Sequence, residues 1–347
     1  MTQQWSRREF LSGAAGGVAL VAAGDILAAC GGSSHKRAPG ALRTFTYMMP
    51  SSYFINFATE LLPEAAGYAR SDGVDLHVAQ ASNSPQAVQQ VLAGRADASR
   101  QSGITVAQAV GTAHAPLIAI ATIAQDSPFR FISAADRPIR SAAEFKGKTI
   151  GLGGPGGPAD VALDAVLASA GLGPDAVKRP VVPFDVSAFA LVQERRIDAF
   201  LGATQTIVEL RRQGAKFYSF NAGTAVPVLG QSYVATKDTV EKRGDDLVAF
   251  LRAVRKGIDV LLDDAQLDHA IDLLARYPLQ ELKDRQVAKE FFQEERKLWL
   301  AAGKSNLLRN VPSRWREGVD LITRGHLVPA VNADQLYTNK IWDKAFG

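Results

Sequence analysis

An α/β fold, with strands and helices in strict turn around a mostly parallel sheet, is what the chain from Leu42 onward predicts. Three observations carry this. Short stretches rich in strand formers alternate with longer stretches of helical spacing. Gly, Pro, Ser and Asn fall at the boundaries between them. From Asp245 onward the chain turns almost wholly to amphipathic helix. Strand and helix in alternation mean a sheet flanked by helices. The 347 residues suggest two domains, and 47% hydrophobic content suits a sizeable core.

Taken in order, Leu42 to Met48 reads as a strand, with Phe45 and Tyr47 as strand formers, and Phe54 to Arg70 reads as a helix. Val74 to Val78 alternates with period 2, and Ser82-Asn83-Ser84-Pro85 opens a helix through Leu92, with Pro placed for the first turn. Gly94 to Ala98 is a short strand, Thr105 to Thr112 a helix and Leu117 to Ile123 another strand. A second run begins after Ser127-Pro128. It has a strand over Phe129 to Ala134, a capped helix start at Ser141-Ala142-Ala143-Glu144 and a strand over Thr149 to Leu152. The glycine-rich loop Gly153 to Pro158 leads into a helix over Ala159 to Ala170. Val181 to Phe184, Ser187 to Arg195 and Ile197 to Gly202 give strand, helix, strand. Amphipathic stretches at 246–262, 266–276 and 284–302 follow, and Trp299, Trp315 and Trp342 read as packing residues.

The N-terminus carries two signals in series. Arg7 and Arg8, followed by Glu9-Phe10-Leu11, match a twin-arginine export signal ahead of the small and apolar run Gly13 to Ala29. That run is short for a bilayer span of about 20 residues, and Asp25 interrupts it. It ends in Leu27-Ala28-Ala29-Cys30, which resembles the lipobox of bacterial lipoproteins. The resemblance implies cleavage before Cys30, acylation of Cys30 and attachment to a membrane through that lipid. Residues 1–29 are then the signal peptide and 30–41 a flexible tether. Cys30 is the only cysteine, so an intramolecular disulfide and a cysteine metal cluster are both excluded. The formal charge of +4 is spread over Lys and Arg beside acids, as in Glu294-Glu295-Arg296-Lys297, which reads as solvated surface. No nucleic-acid footprint stands out.

Several pieces in order, Ala87 to Asp97, Pro116 to Ala121, Ser127-Pro128-Phe129, Ile139 to Gly151 and Arg196 to Ala199, resemble the SsuA/THI5-like (NMT1) family. These are extracytoplasmic solute-binding proteins of ABC importers for sulfonates, nitrate and thiamine-type pyrimidines. The resemblance covers about residues 45–345. It departs from the family pattern at Gly67-Tyr68-Ala69-Arg70, where an aromatic is lost, and at Ser99 to Gly103, usually apolar.

That resemblance implies a type II periplasmic-binding-protein fold, two α/β lobes with a cleft between them. Lobe 1 would comprise 42–125 and 229–347, and lobe 2 would comprise 126–228. It further implies a small-molecule solute, permease and ATPase subunits as partners, a monomer, no cofactor and no catalysis. Alternatives are a lipoprotein of the same fold in a sensory or scaffolding role, or a pyrimidine synthase-like enzyme. The latter lacks its cysteine-rich motif here.

In such sheets ligands sit beyond the carboxyl ends of strands, near helix N-termini. Candidate ligand residues are therefore Ser52 and Tyr53, then Asn83 and Ser84, then Ser102 and Gly103. In the other lobe Gly154, Gly156 and Gly157 would offer backbone N–H groups at a helix start. Asp185 and Gln205 follow strands, and Arg100, in the stretch that departs from the family pattern, is either a cleft cation or a residue paired on the surface. An anionic solute would suit Arg100 and the glycine loop. A pyrimidine would use Tyr53 for stacking and Asp185 for its amino group. The glycine loop matches neither dinucleotide nor P-loop spacing. The Ser and Asn residues could equally be plain helix caps.

Overall fold

The computed structural model describes residues 41–347 except 155–157 and 227–229. Cys30, the signal and tether segments, Gly156 and Gly157 therefore lie outside the described residues. The first run is β1 (Arg43–Met49), α1 (Ala58–Ala66), β2 (Val74–Gln80), α2 (Ser84–Leu92), β3 (Ala98–Ser102), α3 (Gly103–Ala113) and β4 (Leu117–Ala124). The second is β5 (Arg130–Ala134), β6 (Ile150–Gly151), α4 (Pro158–Ser169), α5 (Ala188–Gln193), β7 (Ala199–Gly202), α6 (Thr204–Arg212), β8 (Phe217–Asn221) and α7 (Ala222–Ala225). The chain then returns through β9 (Gln231–Thr236) to α8 (Lys237–Lys242), α9 (Gly244–Leu262), α10 (Leu267–Leu274), α11 (Arg285–Trp299), α12 (Pro312–Arg324) and α13 (Lys340–Phe346).

Two sheets result, one for each run, and both are mixed where the sequence predicts mostly parallel ones. The first has the order β2-β1-β3-β9-β4 and the second β6-β7-β5-β8. Strands β1, β2 and β3 are mutually parallel, while β9 runs antiparallel to β3 and β4. In the second sheet β5 runs antiparallel to β7 and β8, and β6 is parallel to β7. The reversed strands are the two that follow passages between the sheets, since each enters its new sheet from the edge facing the old one.

Period 2 along β1 sets the layers. Phe45, Tyr47 and Met49 join one core with α1, α9 and α11, through residues such as Leu61, Phe250 and Phe292. Met48 faces the opposite core with Val88 of α2, Ile104 of α3 and Trp315 of α12. That second core continues into the other sheet through Phe131, Phe145 and Leu163, and a third, around Phe189, Phe200 and Leu210, covers its far face.

Several predicted boundaries move for local reasons. The helix after β1 stops at Ala66 because Gly67 adopts φ 65°, and its N–H donates to the Glu64 carbonyl. Residues 94–97 are a turn, not strand, with Gly94 at φ 68°, and β3 begins at Ala98. Val181 to Phe184 makes only a bridge, Leu152 to Val181, because Pro183 has no N–H to extend a ladder. Ser141 opens a single 3-10 turn over Ala142–Phe145, with Glu144 accepting from the Arg140 N–H and the Ser141 hydroxyl. Trp299 and Trp315 are buried, and Trp342 donates from its indole to the Leu307 carbonyl at 3.0 Å.

Strand directions fix how the sheets meet. β4 leaves its sheet at Ala124 and β5 enters the next at Arg130. The carboxyl ends of β1 to β4 and those of β6 to β8 are thus turned toward each other across the two passages. Asp126 on the first passage accepts from the Asn221 amide at the start of the second. A Cβ on Gly230 would collide with the Ala124 carbonyl oxygen, and one on Gly223 would sit 2.7 Å from the Ser127 nitrogen. Gly230→Ala is expected to lose about 1–3 kcal/mol, read as a drop of several degrees in the thermal midpoint.

Candidate functional site

A cluster of charge lies beneath the strand ends. Arg100 points from β3 into the first core and is 4% exposed, while Glu60 of α1 is fully buried. The Arg100 Nη1 donates to Glu60 Oε1 at 3.2 Å and its Nη2 to the Asn56 carbonyl at 2.9 Å. Its guanidinium rests 4.2 Å from the centre of the Phe57 ring. Tyr233 of β9 donates to Glu60 Oε1 at 2.7 Å, and Thr59 to Oε2 at 2.9 Å. Burial raises the Glu60 pKa, with Arg100 and the hydroxyl donors acting the other way. Burial also opposes the charge on Arg100, but the negative groups around it hold its pKa above the ordinary value. Burial pushes both Tyr47 and Tyr233 well up, keeping them protonated donors.

A second buried carboxylate spans the sheets. Glu295 of α11 accepts from the Thr204 hydroxyl, at the start of α6, at 2.6 Å. The sequence assigns Glu294 to Lys297 to solvated surface, yet Glu295 is 6% exposed, because α6 packs over that face of α11. Its pKa is raised by burial, against the pull of Thr204, Arg100 and Arg130. Along the same seam Arg211 pairs with Glu294, and Arg212 reaches Glu290 and Asp284, both at 3.2 Å. Arg130 donates to Asn221 Oδ1 at 2.8 Å and to the Phe129 carbonyl at 3.0 Å, and burial lowers its pKa.

Beside these groups Gly103, Thr122, Gln125, Gly230, Ser232 and Trp315 line a pocket with a cavity of about 20 Å³, room for a water molecule. Gln125 secures its rim by donating to the carbonyls of Thr122, Asn306 and Arg309, at 3.1, 3.1 and 2.8 Å. Among the described residues no group of His, Cys, Asp and Glu is placed to hold a metal ion.

The sequence-derived candidates spread along these strand ends. Gly103 lines the pocket, and Ser102 caps α3 by accepting from the Thr105 N–H at 3.1 Å. Asn83 caps α2 by accepting from Gln86 at 2.9 Å, with Ser84 as the first helical residue. Ser52 is exposed, and Tyr53 packs on Tyr277 with ring centres 5.4 Å apart. Gly154 has φ 153° and open space where a Cβ would be. Asp185 is exposed and accepts from the Ser187 N–H at 2.7 Å, and the Ser187 hydroxyl together with that N–H lowers its pKa. Gln205 donates to Glu209 at 2.8 Å. Sequence reasoning missed Glu60, Arg130, Thr204 and Glu295. Thr204 alone had a signal, its place just after a strand and next to the chosen Gln205.

Two α/β lobes joined by two passages, with strand ends and helix starts facing across a cleft, define a periplasmic-binding-protein fold. The model of the NMT1/THI5 like family matches residues 55–266, and the chain belongs to that family. It is 26% identical over 254 residues to the riboflavin-binding protein RibY of Chloroflexus aurantiacus, covering 71% of this chain and 70% of that protein. In structure it resembles the periplasmic sulfonate-binding protein SsuA of Methylobacillus flagellatus, with TM-score 0.63, 18% identity and coverage of 88% and 94%. It also resembles the periplasmic nitrate-binding protein NrtA of Synechocystis, with TM-score 0.59, 14% identity and 88% coverage of each chain.

Two outcomes follow. Arg100→Gln leaves Glu60 buried without its cation and is expected to cost about 3–5 kcal/mol in denaturant unfolding. For Glu295, a raised native pKa means that the folded state binds the proton more readily than the unfolded one. Its contribution is full in acid and lost as pH rises through the raised value. The thermal midpoint of the wild type minus that of Glu295→Gln should therefore fall on going from acid toward pH 8.

Proposed function

We propose that this chain is an extracytoplasmic, lipid-anchored solute-binding protein that captures a small molecule in the cleft and delivers it to the permease and ATPase of an ABC importer. The observation that carries this reading is the facing of strand ends and helix N-termini from two sheets across two short passages. Closing such a cleft removes a solute from water and strengthens every polar contact made to it. Lobe 1 is residues 42–125 with 229–347, and lobe 2 is residues 126–228. Ser52, Tyr53, Asn83, Ser84, Ser102, Gly103, the glycine loop, Asp185 and Gln205 are the proposed solute-facing positions, with Arg100 acting from beneath. The solute class spans thiamine-type pyrimidines, sulfonates and nitrate. Names of similar proteins support a small-molecule role, since they bind riboflavin, sulfonate and nitrate. Export by the twin-arginine route and acylation at Cys30 supply the location. Among the described residues no helix is long and apolar enough to cross a membrane.

Thermal unfolding of the full chain against alkyl sulfonates, nitrate, pyrimidines, thiamine, riboflavin and amino acids tests capture. A solute at 100 times its dissociation constant adds about 2.7 kcal/mol, a rise of several degrees. Sulfonates, nitrate, pyrimidines, thiamine and riboflavin all failing to shift the midpoint of ligand-free protein would sink the reading. Cys30→Ser should move the protein from the membrane to the soluble fraction and abolish palmitate labelling.

A further inference from the structure

Large apolar side chains left exposed among the described residues include two phenyl rings, Phe54 at 50% and Phe184 at 44% exposure. Each stands at the cleft-facing end of its own lobe. Phe54 lies in the loop that leaves the carboxyl end of β1, in extended backbone with φ −137° and ψ 153°. Its neighbours are fixed, because Tyr53 packs on Tyr277 and the Ile55 N–H donates to Glu281 at 3.4 Å. Phe184 ends the segment that runs beside β6, where the Val182 N–H donates to the Leu152 carbonyl at 2.8 Å. Gly153 makes room for it, since a Cβ there would stand 3.2 Å from the Phe184 Cβ. The passages between lobes leave from β4 and enter at β5, and return from β8 to β9. β1 and β6 lie on the other side of their sheets, so both rings stand at the mouth of the cleft, away from the passages.

The cleft's buried cations are engaged already. Arg100 serves Glu60 and the Asn56 carbonyl, and Arg130 serves Asn221 and main-chain carbonyls. An anion would have to displace these partners, whereas an uncharged ring needs only apolar faces and a polar edge. We infer that Phe54 and Phe184 are two jaws that close on the faces of a flat, uncharged heteroaromatic ring, with Ser52 and Asp185 beside them at the ring's polar edge. Aromatic faces hold a planar ring by offset stacking and by removing its surface from water. This rests on the capture reading above and narrows its solute to one chemical class.

The test is equilibrium binding to the full chain, unfolded and refolded to remove any bound host molecule, with riboflavin, thiamine and 4-aminopyrimidine set against hexanesulfonate and nitrate. A planar ring is expected to bind, and riboflavin bound between the jaws should lose fluorescence. Phe54→Ala and Phe184→Ala should each weaken that binding at least tenfold, while Phe54→Tyr, Phe184→Tyr and the control Leu92→Ala retain it. Both rings are half exposed, so the alanine variants should keep the wild-type thermal midpoint, which separates lost binding from lost folding. Binding of hexanesulfonate or nitrate alone, or unchanged ring affinity in both alanine variants, overturns the jaws and leaves solute capture standing. No binding by any of the five overturns both.

Discussion

The ion pair between Arg100 and Glu60 is the constraint on which the first lobe is built. A guanidinium and a carboxylate that share so little water are tolerable when most of their remaining lone pairs and protons are directed to partners, and here the Arg100 Nε–H is the one left without. Here the partners come from β1, β9, α1 and the turn before α1, through Tyr47, Tyr233, Thr59 and Asn56. β9 and the β3 of Arg100 lie far along the chain from the contiguous β1-to-α1 segment, and the pair brings the three together. An apolar replacement would hold the layers together but would not specify which strand sits beside which.

The same chemistry, diluted, joins the lobes. Glu295 and Thr204 meet out of water, while the flanking pairs of Arg211 and Arg212 with acids of α11 are partly exposed and individually weak. The seam lies outside both passages, so the lobes touch in a third place.

Much of this was legible in the sequence and some was not. The strand formers of β1, the period of β2 and the Pro-led start of α2 are local signals, and local physics places them. The reversal of β5 and β9 was not legible, because strand direction depends on which sheet the chain enters, not on the residues of the strand. Arg100 stood out as a charge in a stretch that is usually apolar in the family, but Glu60, forty residues away on an apolar helix, gave no sign of being its partner. Glu295 sits in a run of charges that looks solvated at every position, and only the packing of α6 on α11 singles it out. Of the Ser and Asn residues that could equally be helix caps, Asn83 is one, since that geometry is set within four residues, while Ser52 and Ser84 cap no described helix.

The tail of the chain completes the first sheet's edge. Tyr337 bridges to Ala119 of β4, with the Ala119 N–H donating to the Leu336 carbonyl at 2.8 Å and the Thr338 N–H to the Ala119 carbonyl at 2.9 Å. Ile341 of α13 enters the same core as Phe45 near the other end. Those residues are synthesised after every strand of both sheets. The sheet made first is thus finished last, and the strands of the other sheet, contiguous in the chain, have all their neighbours well before synthesis ends.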